Sequence, residues 1–178
     1  MKENKKSDPP SSGPKSEILT SEIENSKSEI PHKLYSSVLG IGYIKGGGTI
    51  AAAVCCICWY LAWNGAYPPL LLSVSITVAV TFMGIWSSSV MELSWGKDPS
   101  KVVVDEVAGM CISMLMLPVN VKYLLSAFIL FRFFDIVKPL YIRKTESFPK
   151  GWGIMLDDVL AGVYTNLLLQ GVLWFKLL

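Results

Sequence analysis

Along this chain, uncharged apolar runs alternate with short polar segments that hold most of the charge. The longest run, Pro68 to Val90, has no charged residue over 23 positions. At about 1.5 Å per residue it can cross a hydrocarbon core of about 30 Å, so it predicts a transmembrane helix. Shorter runs at Thr49 to Trp63, Val107 to Val121 (broken by Pro118), Tyr123 to Phe131 and Val159 to Phe175 predict further helices. Length alone leaves two placements open for these, tilted spans or a helical core partly outside the bilayer. The pattern predicts an all-α helical bundle, integral to a membrane through several transmembrane helices.

Residues 1–30, rich in Ser, Lys, Glu and Pro, break the pattern and predict a disordered polar tail outside the site, with residues 31–178 forming one helical domain. That tail contains no apolar stretch resembling a signal-peptide core. Apolar content of 52% and mean hydropathy of +0.45 support the membrane class. A net charge of only +2 gives no basic field for nucleic acid, so the expected partners are lipids and the membrane. The loop from Lys138 to Lys150 is basic apart from Glu146, which argues for a cytoplasmic face. Cys55, Cys56, Cys58 and Cys111 all fall in apolar runs and read as reduced, small core residues.

The placement of the acids carries the chemistry. From Pro31 onward there are eight: Glu92, Asp98, Asp105, Glu106, Asp135, Glu146, Asp157 and Asp158. All but Glu146 lie in three segments at the ends of apolar runs, Glu92 to Gly109, Arg132 to Pro139 and Gly151 to Gly162. An antiparallel bundle would gather these segments on one face. An acid at the centre of a membrane helix costs about 2.5 to 3.5 kcal/mol, so a compensating cation is expected. Asp-x-x-Ala-Gly occurs twice, at Asp105 to Gly109 and Asp158 to Gly162, with each Gly one helical turn from its Asp. Such a Gly admits either another helix or a phosphate, and Asp105 is expected to face an open notch there. Arg132, Asp135 and Lys138 form a charged stripe, either an internal salt-bridge ladder or two cations with positive charge to spare for an anion.

The stretch Leu39 to Ala53 has three consecutive glycines before Thr49, the expected N-cap of the next helix. Either it is a plain flexible hinge, or its free backbone N–H groups and Lys45 bind an anion. Clustered carboxylates with Lys and Arg suit Mg²⁺ and a phosphate. The only histidine, His32, lies outside these segments, so proton transfer falls to a carboxylate or to water. Glu146 lies outside the motifs and is expected to be dispensable.

The segments KDPSKVVVDEVAGM, FRFFDIVKP and GIMLDDVLAG, in that order, resemble the three signature segments of the phosphatidylglycerophosphatase A family. GIGYIKGGGTIAA is similar to its Gly-rich first segment, with Gly47 where Pro is usual and Ala51 and Ala52 for a small hydroxyl residue; further on, Leu140-Tyr141 follows Lys138-Pro139 where the family often has Trp-Pro. The resemblance runs from about Leu39 to the C-terminus. It implies an all-α, Mg²⁺-dependent membrane phosphatase that converts phosphatidylglycerophosphate to phosphatidylglycerol, at a bacterial inner membrane with its site on the cytoplasmic side. By that resemblance Asp105, Glu106, Asp135 and Asp158 are catalytic. It likewise implies Asp98, Asp105, Glu106, Asp135, Asp157 and Asp158 as metal ligands and Arg132 and Lys138 as phosphate-binding, and the Gly-rich loop adds Lys45 and Thr49 as phosphate-binding candidates. An ion-coupled transporter would also place acids in apolar helices, but the chain is short and shows no inverted repeat. The Asp-Gly-x2-Ala-Arg motif of CDP-alcohol transferases is absent.

Overall fold

The computed structural model describes residues 26–63, 66–96, 99–139 and 141–177, and every element among them is helical. Helix α1 covers 26–36 and so begins inside the segment expected as a tail. Its Glu29 pairs with Lys33 at 2.9 Å and accepts a hydrogen bond from Ser94 at 2.6 Å. A single 3₁₀ turn, Ile41–Tyr43, leads to α2 (Gly47–Trp63) and α3 (Leu70–Trp95). After these come α4 (Val104–Ser113), α5 (Val121–Val137), the short α6 (Ile142–Thr145) and α7 (Gly151–Trp174).

The longest run does form a helix, shifted toward the C-terminus: Pro69 precedes its first turn, and it continues past Val90 to take in Glu92. Its buried face consists mainly of small residues, Ser73, Thr77, Gly84, Ser87 and Ser88, with Ile85 and Met91 beside them, while Leu71, Phe82 and Trp86 point outward. Several of its hydroxyls are satisfied within the helix, Thr77 donating to the Ser73 carbonyl at 2.8 Å and Ser89 to that of Ile85 at 2.6 Å. Small residues inside and large apolar residues outside are the arrangement of a helix packed in lipid.

Among the described residues, α3 is the one helix long and apolar enough to cross a membrane, so the several spans expected from the sequence reduce to one by that measure. The run from Val107 to Val121 becomes instead the ten-residue α4, about 15 Å long and buried at the centre of the bundle. Helix α4 packs against α7 most extensively and also against α2, α3 and α5. Phe131, Met110, Met114 and Ala161 belong to the larger apolar cluster, while Ile85, Val104 and Met155 belong to a second on the α3 side.

The ends of α5 follow from local chemistry. The Asn120 side chain accepts from the Tyr123 N–H at 3.0 Å, capping its start. Pro139 prevents continuation, and Lys138 closes the helix at φ +47°. Thr49, by contrast, is not an N-cap: α2 already begins at Gly47, and the Gly46 carbonyl accepts from the Ile50 N–H at 3.1 Å. Two of the three glycines therefore belong to the helix. All four cysteines are free, Cys55 and Cys111 in the core but Cys58 exposed, so only part of that set is core.

Candidate active site

Asp105 and Glu106 occupy the first turn of α4, where the helix dipole favours negative charge. Asp157 and Asp158 lie in the second turn of α7. The two helices cross where the glycines of the repeated Asp-x-x-Ala-Gly motif meet: a Cβ at Gly162 would strike the Gly109 carbonyl, and one at Gly109 would strike Phe131 and the Asp158 carbonyl. The notch beside Asp105 is thus filled by α7, correcting the expectation that it stays open. This close approach brings carboxylate oxygens of Asp105, Glu106 and Asp158 within 4.8 Å of one another.

Helix α5 adds the cations. Arg132 Nη1 lies 2.6 Å from Asp135 Oδ2 and 4.0 Å from Glu106 Oε1. Lys138 Nζ donates to Asp157 Oδ2 at 2.7 Å and to Glu146 Oε1 at 2.6 Å. Both cations of the stripe are therefore taken up by carboxylates, and neither has an undivided charge to spare. Helix α2 closes the remaining side, since a Cβ at Gly48 would overlap the Glu106 carboxylate.

Six carboxylates converge here on two cations. Burial raises the pKa of Asp105 well above the carboxylate range, and the neighbouring Glu106 charge adds to it. Asp158 is raised in the same way, first by burial and then by Asp135 and Glu106. Burial also raises Asp157, partly offset by Lys138. For Lys138 burial works against the ammonium, but its bonds to Asp157 and Glu146 outweigh that and raise its pKa. Glu106 Oε2 and Asp157 Oδ1 are buried without a hydrogen-bond partner. A cluster so short of positive charge, with orphaned hard oxygens, fits a divalent cation such as Mg²⁺. A phosphate dianion would be repelled by it unless a cation intervened.

Of the residues singled out in the sequence, Asp105, Glu106, Arg132, Asp135, Lys138, Asp157 and Asp158 come together in this way. Lys45 and Thr49 are exposed near the start of α2, and neither has a hydrogen bond or ion pair to the cluster. Asp98 lies outside the described residues. Sequence reasoning missed Glu146 and Gly48. Glu146 reaches Lys138 across a turn and α6, a spacing with no periodic signature. Gly48 was visible only as one of a run of three glycines.

The model of the phosphatidylglycerophosphatase A family matches residues 34–173. The chain belongs to the phosphatidylglycerophosphatase A family. A Bacteroides thetaiotaomicron protein, provisionally named a phosphatidylinositol-3-phosphatase, is 43% identical over 77% of this chain and 92% of its own length. The phosphatidylglycerophosphatase A of Escherichia coli is 29% identical over 78% of this chain and 81% of its own. That of Haemophilus influenzae is 40% identical over 45% and 50%. No solved structure matches the chain. As a member of the family it is a hydrolase of phosphoric monoesters, a lipid phosphatase.

Proposed function

We propose that this chain hydrolyses the terminal phosphate monoester of phosphatidylglycerophosphate, releasing phosphatidylglycerol and phosphate, with Mg²⁺ held chiefly by Asp105, Glu106 and Asp158. The observation that carries this is the convergence of those three carboxylates within 4.8 Å, in a chain of this family. Asp135 and Asp157, paired with Arg132 and Lys138 beside these three, would be further ligands, as would Asp98, seven residues before Asp105. When bound, Mg²⁺ neutralises the phosphoryl oxygens and polarises phosphorus toward attack.

The chain's own groups then orient the substrate and handle the proton. Arg132 Nη1 is ion-paired with Asp135 yet buried without a hydrogen-bond partner, which makes the guanidinium the donor for a phosphoryl oxygen. Lys138 holds Asp157 in place against the other acids. Hydrolysis adds water across the bond between phosphorus and the glycerol oxygen, so one proton leaves the water and one joins the departing oxygen. His32 is engaged with Ser87 and Trp86, so a carboxylate takes that duty, and Asp135, beside Arg132, is the residue assigned to it.

We place the acids at headgroup level on the cytoplasmic side of a bacterial inner membrane. Leu125, Ile129, Phe133 and Ile136 form an exposed apolar stripe along α5, and Leu167, Leu168 and Trp174 are exposed on α7. Such surfaces favour lipid around these helices as well as around α3.

The test is phosphate release by the purified, detergent-solubilised protein from phosphatidylglycerophosphate, with Mg²⁺ and after chelation. No release under either condition would reject phosphatidylglycerophosphate as the substrate. The name of the Bacteroides relative favours a second reading, in which phosphatidylinositol 3-phosphate is the substrate. A higher kcat/KM on that lipid in the same assay would select it.

A further inference from the structure

Beside the acid cluster lies a cavity of about 340 Å³, enclosed by the last turn of α3, α6, the turn after it and the start of α7. Asp157 and Glu146, the two acceptors of Lys138, both line it, so the cavity is continuous with the cluster. Its remaining polar lining is of two kinds. Glu92 contributes an Oε2 that is buried without a partner, as is Oδ1 of Asp157. Arg143 and Lys150 are exposed on its rim and, unlike Arg132 and Lys138, are ion-paired to nothing among the described residues. Acceptors that lack donors suit hydroxyl groups, and unpaired cations suit an anion.

The position of the cavity narrows the ligand further. Glu92 lies in the last turn of α3, the helix of membrane length, so the cavity opens where that helix leaves the apolar layer. Gly151 fixes this arrangement: its N–H donates to Ser89 Oγ at 3.0 Å, and a Cβ there would collide with the Ile85 carbonyl. The volume is that of a small-ligand site.

We propose that this cavity binds the polyol and phosphodiester portion of a phospholipid headgroup, with Arg143 and Lys150 on the phosphodiester and Glu92 accepting from a headgroup hydroxyl. The proposal rests on the lipid-phosphatase reading, in which the monoester lies at the acid cluster and the rest of the headgroup needs a place beside it. A single three-carbon polyol joins the two phosphates, and the shared wall at Asp157 permits both to be held at once. Arg143, Lys150 and Glu92 thereby determine which headgroup is accepted.

Short-chain phosphatidylglycerol, which has the phosphodiester and polyol but no monoester, is the probe, titrated into the detergent-solubilised protein under chelation. Saturable binding is expected, weakened at least about tenfold by Arg143→Gln combined with Lys150→Gln, which remove both charges and keep the side-chain stems. Lys144→Gln, whose ammonium instead lies 4.6 Å from the Tyr141 ring centre, should bind like wild type. Glu92→Ala should weaken phosphatidylglycerol but not phosphatidylmethanol, which lacks the hydroxyls. Failure of wild type to bind saturably, an equal loss in Lys144→Gln, or full competition by millimolar inorganic phosphate would overturn the proposal. Because binding is read without turnover, a failed phosphatase assay and a failed subsite give different results.

Discussion

Gly162 rests against the backbone of Gly109, so closely that a Cβ on Gly162 would strike the Gly109 carbonyl. Each glycine lies four residues after an aspartate of the acid cluster, Asp158 and Asp105. The distance between two helix backbones therefore sets the distance between two carboxylates. Packing and charge placement are a single feature here.

Gly162→Ala forces backbone apart at this crossing. Overpacking of this kind costs about 1 to 3 kcal/mol. A lower thermal midpoint and at least a tenfold loss of turnover are expected. Gly171→Ala, with open space around its Cβ, should be neutral or stabilising by up to about 1 kcal/mol. Equal behaviour of the two variants in thermal unfolding would show that the crossing is not tight.

Asp105→Asn and Asp158→Asn keep shape and remove charge. Each should reduce the rate at least about 100-fold, the scale for losing one electrostatic catalytic group. Without metal, both variants should melt above wild type, because burial and neighbouring acids penalise these charges. A variant that keeps wild-type turnover at wild-type Mg²⁺ dependence would remove these acids from the metal site.

Added Mg²⁺ should raise the melting temperature of the wild-type protein. Binding at about 100 times Kd contributes about 2.7 kcal/mol. The double variant Asp105→Asn with Asp158→Asn should show no such shift. Calorimetry with and without the ion reads this independently of any substrate.

Gly48→Ala places a methyl group where the Glu106 carboxylate lies. Turnover should fall about tenfold with helical content intact, because Glu106 has to turn away from Asp105 and Asp158. Circular dichroism beside the phosphate assay separates this from unfolding. Lys45→Ala, on the exposed loop before α2, should do less.

Lys138→Ala leaves Asp157 among acids with no cation beside it, and about a tenfold or greater loss of rate is expected. Glu146→Gln removes only one of the two acceptors of Lys138, and its side chain is 41% exposed, so an effect within about threefold is expected. If Glu146→Gln proved as damaging as Lys138→Ala, the Lys138 charge would be held from the Glu146 side.

The sequence by itself determined that the chain is helical and which segments carry its acids. Uncharged runs separated by acidic segments leave few alternatives when every charge in an apolar layer is costly. Pro139 marked the end of α5 in the same local way, through a missing N–H. The tertiary structure decided which charge answers which. Lys138 is shared between Asp157 and Glu146, and Arg132 reaches Glu106 as well as its i+3 neighbour Asp135; apart from that last pair, these cross from helix to helix or over a loop and so depend on how the backbones pack. It also decided that α4 is a short central helix rather than a span, and that the Asp105 notch receives α7. Glycine on one segment specifies only that something comes close, and the partner is fixed by the fold of the whole chain.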